Sequence, residues 1–238
     1  MEVVVPFATD APKTRLEPVL SPSEREAFAT AMLEDVLAAV TAAGHEPGVL
    51  ATGPLDVDVP VVEDDRPLSE AVNTRLDAHF GRESDDGRRD TSERVSDDER
   101  RDKSESNRSV RRPTDTGIAV VMADRAIVTP DAIDRLCEAP GDLVLAPGRY
   151  GGTNALVARD PEFRVDYHGT SYLDHREIAD DLGLDVTVVD SFRLASDVDE
   201  PHDLVEVLCH GEGRSRAFLR EAGFSLSTTD GRVAIERR

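Results

Sequence analysis

Short, uninterrupted apolar runs alternate along this chain with longer stretches that carry helix signals, and this alternation constrains the fold most. A run such as residues 3–5, Val-Val-Val, is typical of a strand buried on both faces of a parallel sheet. Strands are predicted at residues 3–5, 48–52, 59–63, 117–122, 142–146, 155–158 and 185–189. The sequence therefore favours an α/β fold: a mixed, mainly parallel sheet with helices on both faces.

Capping residues mark the predicted helix boundaries. Ser21 is followed by Pro22 and Glu24, which predicts a capping box with proline at the first helical position. Gly44 ends this first helix. Further helices are predicted from residue 130 and over residues 69–80, 171–182, 201–209 and 213–222.

One segment departs from this pattern. Residues 81–116 contain 10 Lys or Arg and 11 Asp or Glu, but only two aliphatic residues, Val95 and Val110. Such a segment cannot bury enough apolar area to offset the entropy cost of ordering it. We therefore predict one domain over residues 1–238 with a polar, low-complexity insertion at about 81–116. A regulatory or partner-binding arm is the alternative interpretation.

The net charge of the chain limits the classes of partner that it can bind. Asp and Glu number 49 against 28 Lys and Arg, so the formal charge is -21. This surface repels nucleic acids and anionic membranes but suits solubility in a high-salt cytoplasm. The N-terminus lacks a signal-peptide pattern, and no apolar stretch reaches 18 residues. Cys137 and Cys209 form no close pair, as expected of reduced thiols. We expect a cytoplasmic protein with no nucleic-acid or membrane partner.

Ligands of parallel sheets bind outside the carboxyl ends of the strands, so the loops after the predicted strands hold the candidate site residues. Lys13 and Arg15 follow the first strand and suit the binding of a triphosphate, although surface loops often carry such cations. Asp124 follows the apolar strand that ends at residue 122, as a metal ligand or a helix cap. Asp197 and Asp199 point to one side of an extended segment and suit Mg²⁺, unless they belong only to an acidic loop.

Two further loops carry polar groups for a small ligand. Residues 147–154 are rich in glycine and end with Thr153 and Asn154, whose side chains form hydrogen bonds. Residues 167–171 run into a predicted helix, and the free N–H groups of a helix start bind phosphate. Ser171 suits either a cap or a phosphate donor.

The remaining histidines favour no metal site. His168, His175 and His202 match no compact zinc spacing, and no cysteine accompanies them. Neither a Walker A sequence nor a G-x-S-x-G motif is present.

Several segments together resemble the 2-phospho-L-lactate guanylyltransferase family of coenzyme F420 biosynthesis. They are spread in order over nearly the whole chain, and the G-G-T-N-A-L block is the most specific. The matching segments are VVPF and KTRL near the start, SPSERE, RPLSEAVN at 66–73, PGRYGGTNAL at 147–156, SYLDH at 171–175 and DVDEPHDL at 197–204.

The resemblance implies a Rossmann-like sheet of the GT-A type, similar to the molybdenum-cofactor nucleotidyltransferases, and a homodimer. It implies GTP and a small phosphorylated three-carbon acid as substrates, with Mg²⁺ as the ion. It also implies a role for each group of candidate residues. The metal ligands would be Asp124, Asp197 and Asp199; the acceptor contacts Thr153, Asn154, Ser171 and the backbone near His168 and Gly169; the nucleotide contacts Lys13, Arg15, Ser69 and Asn73.

Two positions depart from the family pattern. D-L-P-L after the central strand is replaced by Asp124-Arg125-Ala126-Ile127, and the asparagine beside the base-reading helix is Ser69. The interpretations left open are transfer to phosphoenolpyruvate or 3-phosphoglycerate, a catalytically inactive nucleotide-binding protein, and sugar-phosphate nucleotidyl transfer.

Overall fold

A computed structural model describes residues 1–81, 117–229 and 231–238. Apart from Gly81, the polar insertion predicted at about 81–116 lies outside these residues. In the described ranges, no helix combines the length and the apolar composition that crossing a membrane requires.

The structure confirms a mixed, mainly parallel sheet. Its seven strands are β1 (Glu2–Phe7), β2 (Glu46–Ala51), β3 (Val61–Glu63), β4 (Ile118–Val121), β5 (Leu143–Pro147), β6 (Thr153–Ala158) and β7 (Val186–Val188). They lie in the order β3-β2-β1-β4-β6-β5-β7, and only the pairings of β6 with β4 and β5 are antiparallel. The chain proceeds outward from β1 to one side and then resumes at β4 on the other side. The carboxyl ends of β1 and β4 therefore flank the switch point at which such sheets bind ligands.

Helices cover both faces of the sheet. They are α1 (Pro22–Ala42), α2 (Leu68–His79), α3 (Pro130–Glu138), α4 (Ser171–Leu182), α5 (Phe192–Ala195), α6 (Leu204–His210) and α7 (Arg214–Glu221). Side chains alternate along each strand, so Val3 and Val5 pack in the same cluster as α1 and α3 while Val4 packs in that of α2 and α4. This two-sided burial accounts for the continuous apolar runs of the sequence.

The C-terminal region differs from the prediction. No strand is predicted beyond residue 189, whereas β8 (Phe224–Thr229) and β9 (Arg232–Arg237) form an antiparallel hairpin. An Asp-Gly pair between them in the sequence is a typical hairpin signal. The predicted helix 201–209 is a 3₁₀ turn, Pro201–Asp203, followed by α6. The Asp203 carboxylate accepts the N–H groups of Asp199 and Glu200, which tightens the turn.

The predicted capping box at α1 is confirmed. Ser21 Oγ accepts from the Glu24 N–H at 3.4 Å, and the Glu24 carboxylate accepts from the Ser21 N–H at 2.8 Å. The same carboxylate is paired with Arg237 of β9. The hydrogen bond from Arg237, with those from Ser21, lowers the pKa of Glu24 to about 2. Glu24 therefore completes the cap at the start of α1 and also holds the β8–β9 hairpin against that helix.

We expect Glu24→Gln to lower the free energy of unfolding near neutral pH by up to about 1 kcal/mol, because the pair with Arg237 is partly exposed. The pKa of Glu24 is depressed, so its contribution is present above the ordinary value of 4.5 and disappears as the pH falls towards 2. Urea titrations at pH 7 and pH 2.5 measure this difference. Glu26→Gln on the exposed face of α1 is the control. If the wild type and Glu24→Gln differed in free energy of unfolding by the same amount at pH 7 and pH 2.5, the prediction would be contradicted.

Candidate active site

A cavity of about 310 Å³ opens at the carboxyl ends of β1 and β4. Its walls come from the end of β1, the loop that follows it, and the residues after β4. The polar groups that line it include Lys13, Arg15, Asp124 and Asp199. Four of the residues selected from the sequence therefore lie around one cavity at the switch point of the sheet.

Lys13 occupies the centre of this site. Its Nζ lies 2.7 Å from Asp124 Oδ2 and 2.8 Å from Asp199 Oδ1. Burial disfavours the charged form of Lys13, but the two carboxylates outweigh burial and raise its pKa. The Lys13 backbone is left-handed, with φ of 55°, a conformation that costs a non-glycine residue about 1 kcal/mol. The two ion pairs therefore hold the loop in a strained geometry.

Asp124 is held by a buried arginine. Arg125 is 1% exposed, and its guanidinium donates from Nε at 2.9 Å and from Nη2 to Asp124 Oδ1. Its Nη1 donates to the Leu194 carbonyl of α5. Burial opposes ionisation of Asp124, but Arg125 and Lys13 together place its pKa far below the ordinary value. Arg125 stands where the family pattern departs, so the altered loop retains a fixed, ionised aspartate.

The two aspartates of the 197–199 segment diverge in their partners. Asp199 contacts Lys13, and its other oxygen lies 3.9 Å from Arg15. Asp197 lies 3.7 Å from Arg149, and its buried Oδ1 has no hydrogen-bond partner. Within residues 1–81, 117–229 and 231–238, no three His, Cys, Asp or Glu side chains are grouped to hold a metal ion. The structure thus brings Asp124 and Asp199 to one cation and places Asp197 beside a second.

A second cavity, of about 330 Å³, adjoins the first. Arg15 and Asp199 line both cavities, while Asn154, Gly169 and Asp197 line only the second. The two spaces therefore meet at one cation and one carboxylate, so ligands bound in them would lie next to each other.

A β-bulge in β6 places Asn154 on the same face of the sheet as Ala155 and leaves Thr153 on the opposite face. Pro147 pairs with Thr153 and Ala146 with Ala155, so Asn154 is the extra residue. Asn154 Nδ2 donates to the carbonyls of Leu194 and Ala195 at 3.0 and 3.1 Å, on the α5 face. Thr153 Oγ1 instead contacts a residue of α4 on the other face.

Gly148 accommodates the bulged asparagine. A Cβ atom on Gly148 would lie 2.5 Å from Asn154 Oδ1, which is closer than packed atoms approach. Glycine is therefore required at position 148, because the Asn154 side chain occupies the space that a Cβ atom would need.

The residues predicted for the acceptor form a compact group at the start of α4. The Thr153 N–H donates to Ser171 Oγ at 2.9 Å, and both side chains are buried. Gly169 has a left-handed φ of 50° and lies in the wall of the second cavity. The His168 side chain is exposed and paired with Asp166, whose hydrogen bond raises the pKa of the imidazole.

Ser69 and Asn73 lie elsewhere, on the face of α2 that meets residues 165–167. Asn73 binds both backbone groups of Val165, and Ser69 Oγ accepts from the Tyr167 N–H at 2.8 Å. Neither residue lines the Lys13 cavity.

A further cavity, of about 210 Å³, was not anticipated from the sequence. It shares Pro6, Phe7, Ala8 and Met122 with the Lys13 cavity and is lined on its far side by Thr52, Asp64, Arg66 and Leu68. Arg66 forms a two-point ion pair with Asp64, at 2.9 and 2.5 Å. In the sequence, only the RPLSEAVN segment at 66–73 had indicated a functional role for part of this cavity wall.

Comparison with known proteins agrees with this geometry. Residues 1–238 match the family described as guanylyl transferase CofC like. Proteins named 2-phospho-L-lactate guanylyltransferase from Halorubrum lacusprofundi and Halomicrobium mukohataei are each 52% identical over 246 and 237 aligned residues, with both chains fully covered. The protein of the same name from Haloferax volcanii is 49% identical, with 100% of this chain and 98% of that protein covered.

Solved structures support the fold. A nucleotide-diphospho-sugar transferase candidate from Desulfovibrio desulfuricans superposes with a TM-score of 0.63 at 15% identity, covering 92% of this chain and 94% of the other. A nucleotidyl transferase from Methanothermobacter has a TM-score of 0.52 at 16% identity, covering 93% and 99%. The sheet described above is therefore that of the nucleotide-diphospho-sugar transferase fold.

We expect Arg125→Met to lower the free energy of unfolding by roughly 2–4 kcal/mol, because it removes one partner of a buried ion pair. The exposed Arg135→Met of α3 is the control. Adding Asp124→Asn to Arg125→Met should cost less than the single changes predict, with a coupling energy of about 1 kcal/mol or more. Urea denaturation of the four proteins measures the cycle, and strictly additive effects would show that Arg125 does not act on Asp124.

Proposed function

Because this chain belongs to the guanylyl transferase CofC-like family of nucleotidyltransferases, we propose that it transfers GMP from GTP to 2-phospho-L-lactate. The products are lactyl-2-diphospho-5'-guanosine and pyrophosphate, and the reaction belongs to coenzyme F420 biosynthesis. The observation that carries the proposal is the junction of two cavities at Arg15 and Asp199, beside Lys13 and Asp124.

The reaction joins two anions and needs little acid–base chemistry. A phosphate oxygen of the acceptor attacks the α-phosphorus of GTP, and the bond from that phosphorus to the β-phosphate oxygen breaks. A phosphate monoester has its second pKa near about 6, so the attacking group is already ionised at neutral pH. The protein then contributes alignment and charge neutralisation, and the latter is assigned to Lys13 and Arg15.

Nucleotidyltransferases of this family and fold generally use a divalent metal ion, and we assign Mg²⁺ to this chain. Two of the donors already suit a hard cation, because Asp124 and Asp199 converge on the positive charge of Lys13. Asp197, whose buried Oδ1 has no hydrogen-bond partner, faces Arg149 instead. Asp124, Asp197 and Asp199 are the proposed ligands. When bound, the ion would neutralise charge on the phosphates of the reacting groups.

The second cavity is the proposed acceptor site. Of the predicted acceptor residues, Asn154 and Gly169 line this cavity, whereas Thr153 and Ser171 are buried and do not. Thr153, Ser171 and the backbone at His168 and Gly169 are the groups that we assign to the phosphate of the acid. Asn154 would act by fixing the backbone of α5, which leads into the 197–199 segment.

The cavity lined by Thr52, Asp64, Arg66 and Leu68 is the proposed site of the guanine. Ser69 and Asn73 would contribute to this end through α2, which begins at Leu68 in its wall. A cytoplasmic homodimer without nucleic-acid or membrane partners completes the proposal.

The decisive assay is pyrophosphate release in high salt with Mg²⁺, GTP and one acceptor at a time. Turnover is expected with 2-phospho-L-lactate, and Asp124→Asn should lower kcat roughly 10²–10³-fold because it removes charge at the reacting phosphates. Asp131→Asn on α3 is the matched control. Turnover only with phosphoenolpyruvate or 3-phosphoglycerate would correct the acceptor. GTP binding without release for any acceptor would contradict the enzyme and indicate a nucleotide-binding protein.

The convergence of two carboxylates on Lys13 gives a further prediction. Lys13→Met removes the cation between Asp124 and Asp199 and leaves each with one arginine partner, so the melting temperature in metal-free buffer should fall by roughly 5 °C. Mn²⁺ should raise the melting temperature of this variant more than that of the wild type, because the ion replaces the lost charge. Arg15→Met, which removes a 70% exposed side chain, is the control. Equal Mn²⁺ shifts in both proteins would place the metal elsewhere.

A further inference from the structure

His175 lies on α4, away from the Lys13 cavity, and is fully buried. Its ring packs edge-on against Phe163 and Tyr167, with centroid distances of 5.9 and 5.1 Å. Both ring nitrogens are nevertheless used. Nδ1 lies 2.8 Å from Thr153 Oγ1, and Nε2 accepts the Asp166 N–H at 2.9 Å.

These two contacts fix the position of the ring proton. A backbone N–H only donates, so Nε2 must carry no hydrogen. Burial lowers the pKa of His175 to about 4, so at neutral pH the ring is neutral and has a single proton. That proton is on Nδ1, and His175 therefore donates to Thr153 Oγ1.

The direction of this bond determines what the Thr153 hydroxyl can do. Its oxygen accepts from His175, so its own hydrogen is left for another acceptor. Across the described parts of the chain, the hydroxyl donates to no protein group. Ser171 Oγ likewise accepts, from the Thr153 N–H, and keeps its own hydrogen. Two adjacent hydroxyls are thus arranged as donors at the first turn of α4, a 12-residue helix.

The N–H groups of Tyr172, Leu173 and Asp174 at the start of α4 already donate to the carbonyls of Gly151 and Thr170. The two hydroxyl donors suit a ligand that only accepts hydrogen bonds. A phosphate dianion is such a ligand. The β-bulge at Asn154 turns Thr153 from the α5 face to this face of the sheet, where His175 lies.

We propose that His175 is a positioning residue for the acceptor: it fixes the Thr153 hydroxyl as a hydrogen-bond donor to the phosphate of the phospho-acid. This inference rests on the proposed function, since that function supplies the acceptor. His175 touches no substrate itself and acts through Thr153.

Two conservative variants separate the functions of the two ring nitrogens. His175→Asn places an amide nitrogen near the position of Nδ1 and retains the donor to Thr153. His175→Gln places its amide near Nε2, retaining the acceptor for the Asp166 N–H and losing that donor. We expect His175→Gln to raise KM for 2-phospho-L-lactate roughly 3–10-fold, with kcat and KM for GTP nearly unchanged, the size of one neutral hydrogen bond. His175→Asn should stay close to the wild type.

A double-mutant cycle tests whether the effect passes through Thr153. Thr153→Val should raise KM for the acceptor, and adding His175→Gln should raise it no further. Additive losses, equal effects of the Asn and Gln variants, or a rise in KM for GTP would show that His175 only supports the core. Melting temperatures of all variants verify that each is folded.

Binding of inorganic phosphate, measured by calorimetry without metal or GTP, separates this inference from the proposed function. Weaker phosphate binding by Thr153→Val and His175→Gln, but not by His175→Asn, would support the donor role even if no acceptor turns over. Wild-type turnover combined with unaltered phosphate binding and unaltered KM in His175→Gln would overturn it.

Discussion

The ion pairs of Lys13 with Asp124 and Asp199 hold together three segments that are remote in the sequence. They join the loop after β1, the end of β4 and the segment before the 3₁₀ turn, across separations of 111 and 186 residues. Ala11 and Lys13 of the loop after β1 both have a left-handed backbone, so the loop that carries these ion pairs is a strained one. Two carboxylates that converge on a single positive charge would also suit a divalent ion, which would supply the positive charge that a reaction between two anions requires.

The bulge in β6 provides a second organising constraint. A regular strand would direct Asn154 and Ala155 to opposite faces, yet Ala155 packs with Leu194 and Asn154 binds the backbone of that same residue. The extra residue makes this possible, and it turns Thr153 towards α4. The antiparallel strand β6 therefore supports the site in two places. Asn154 holds the backbone of α5, and Thr153 faces the proposed acceptor residues at α4.

Sequence patterns predicted the seven strands of the main sheet and the placement of Lys13 and Asp124, because burial on both faces gives apolar runs and the carboxyl-end rule locates their loops. They did not predict the burial of Arg125 or the turning of Asp197 towards Arg149. The first depends on a hydrogen bond to the distant Leu194 carbonyl and the second on an ion pair with a side chain of another loop, and neither leaves a local signature in the sequence. Ser69 and Asn73 were expected near the base, but their contacts with Val165 and Tyr167 depend on the packing of α2.

The charge of the chain gives these contacts a further meaning. A net charge of -21 repels a nucleotide at low ionic strength, yet Lys13 and Arg15 line the two cavities. Arg125 and Arg149 pair with Asp124 and Asp197, which line them too. At about 1 M salt the Debye length falls to about 3 Å, so the distant acidic surface is screened while ion pairs at contact distance are affected less. The same chain can then keep a hydrated acidic exterior and a site that attracts phosphate. The site keeps its ion pairs in high salt because Arg125 is buried and Lys13 is enclosed, and salt ions therefore compete poorly for these two side chains.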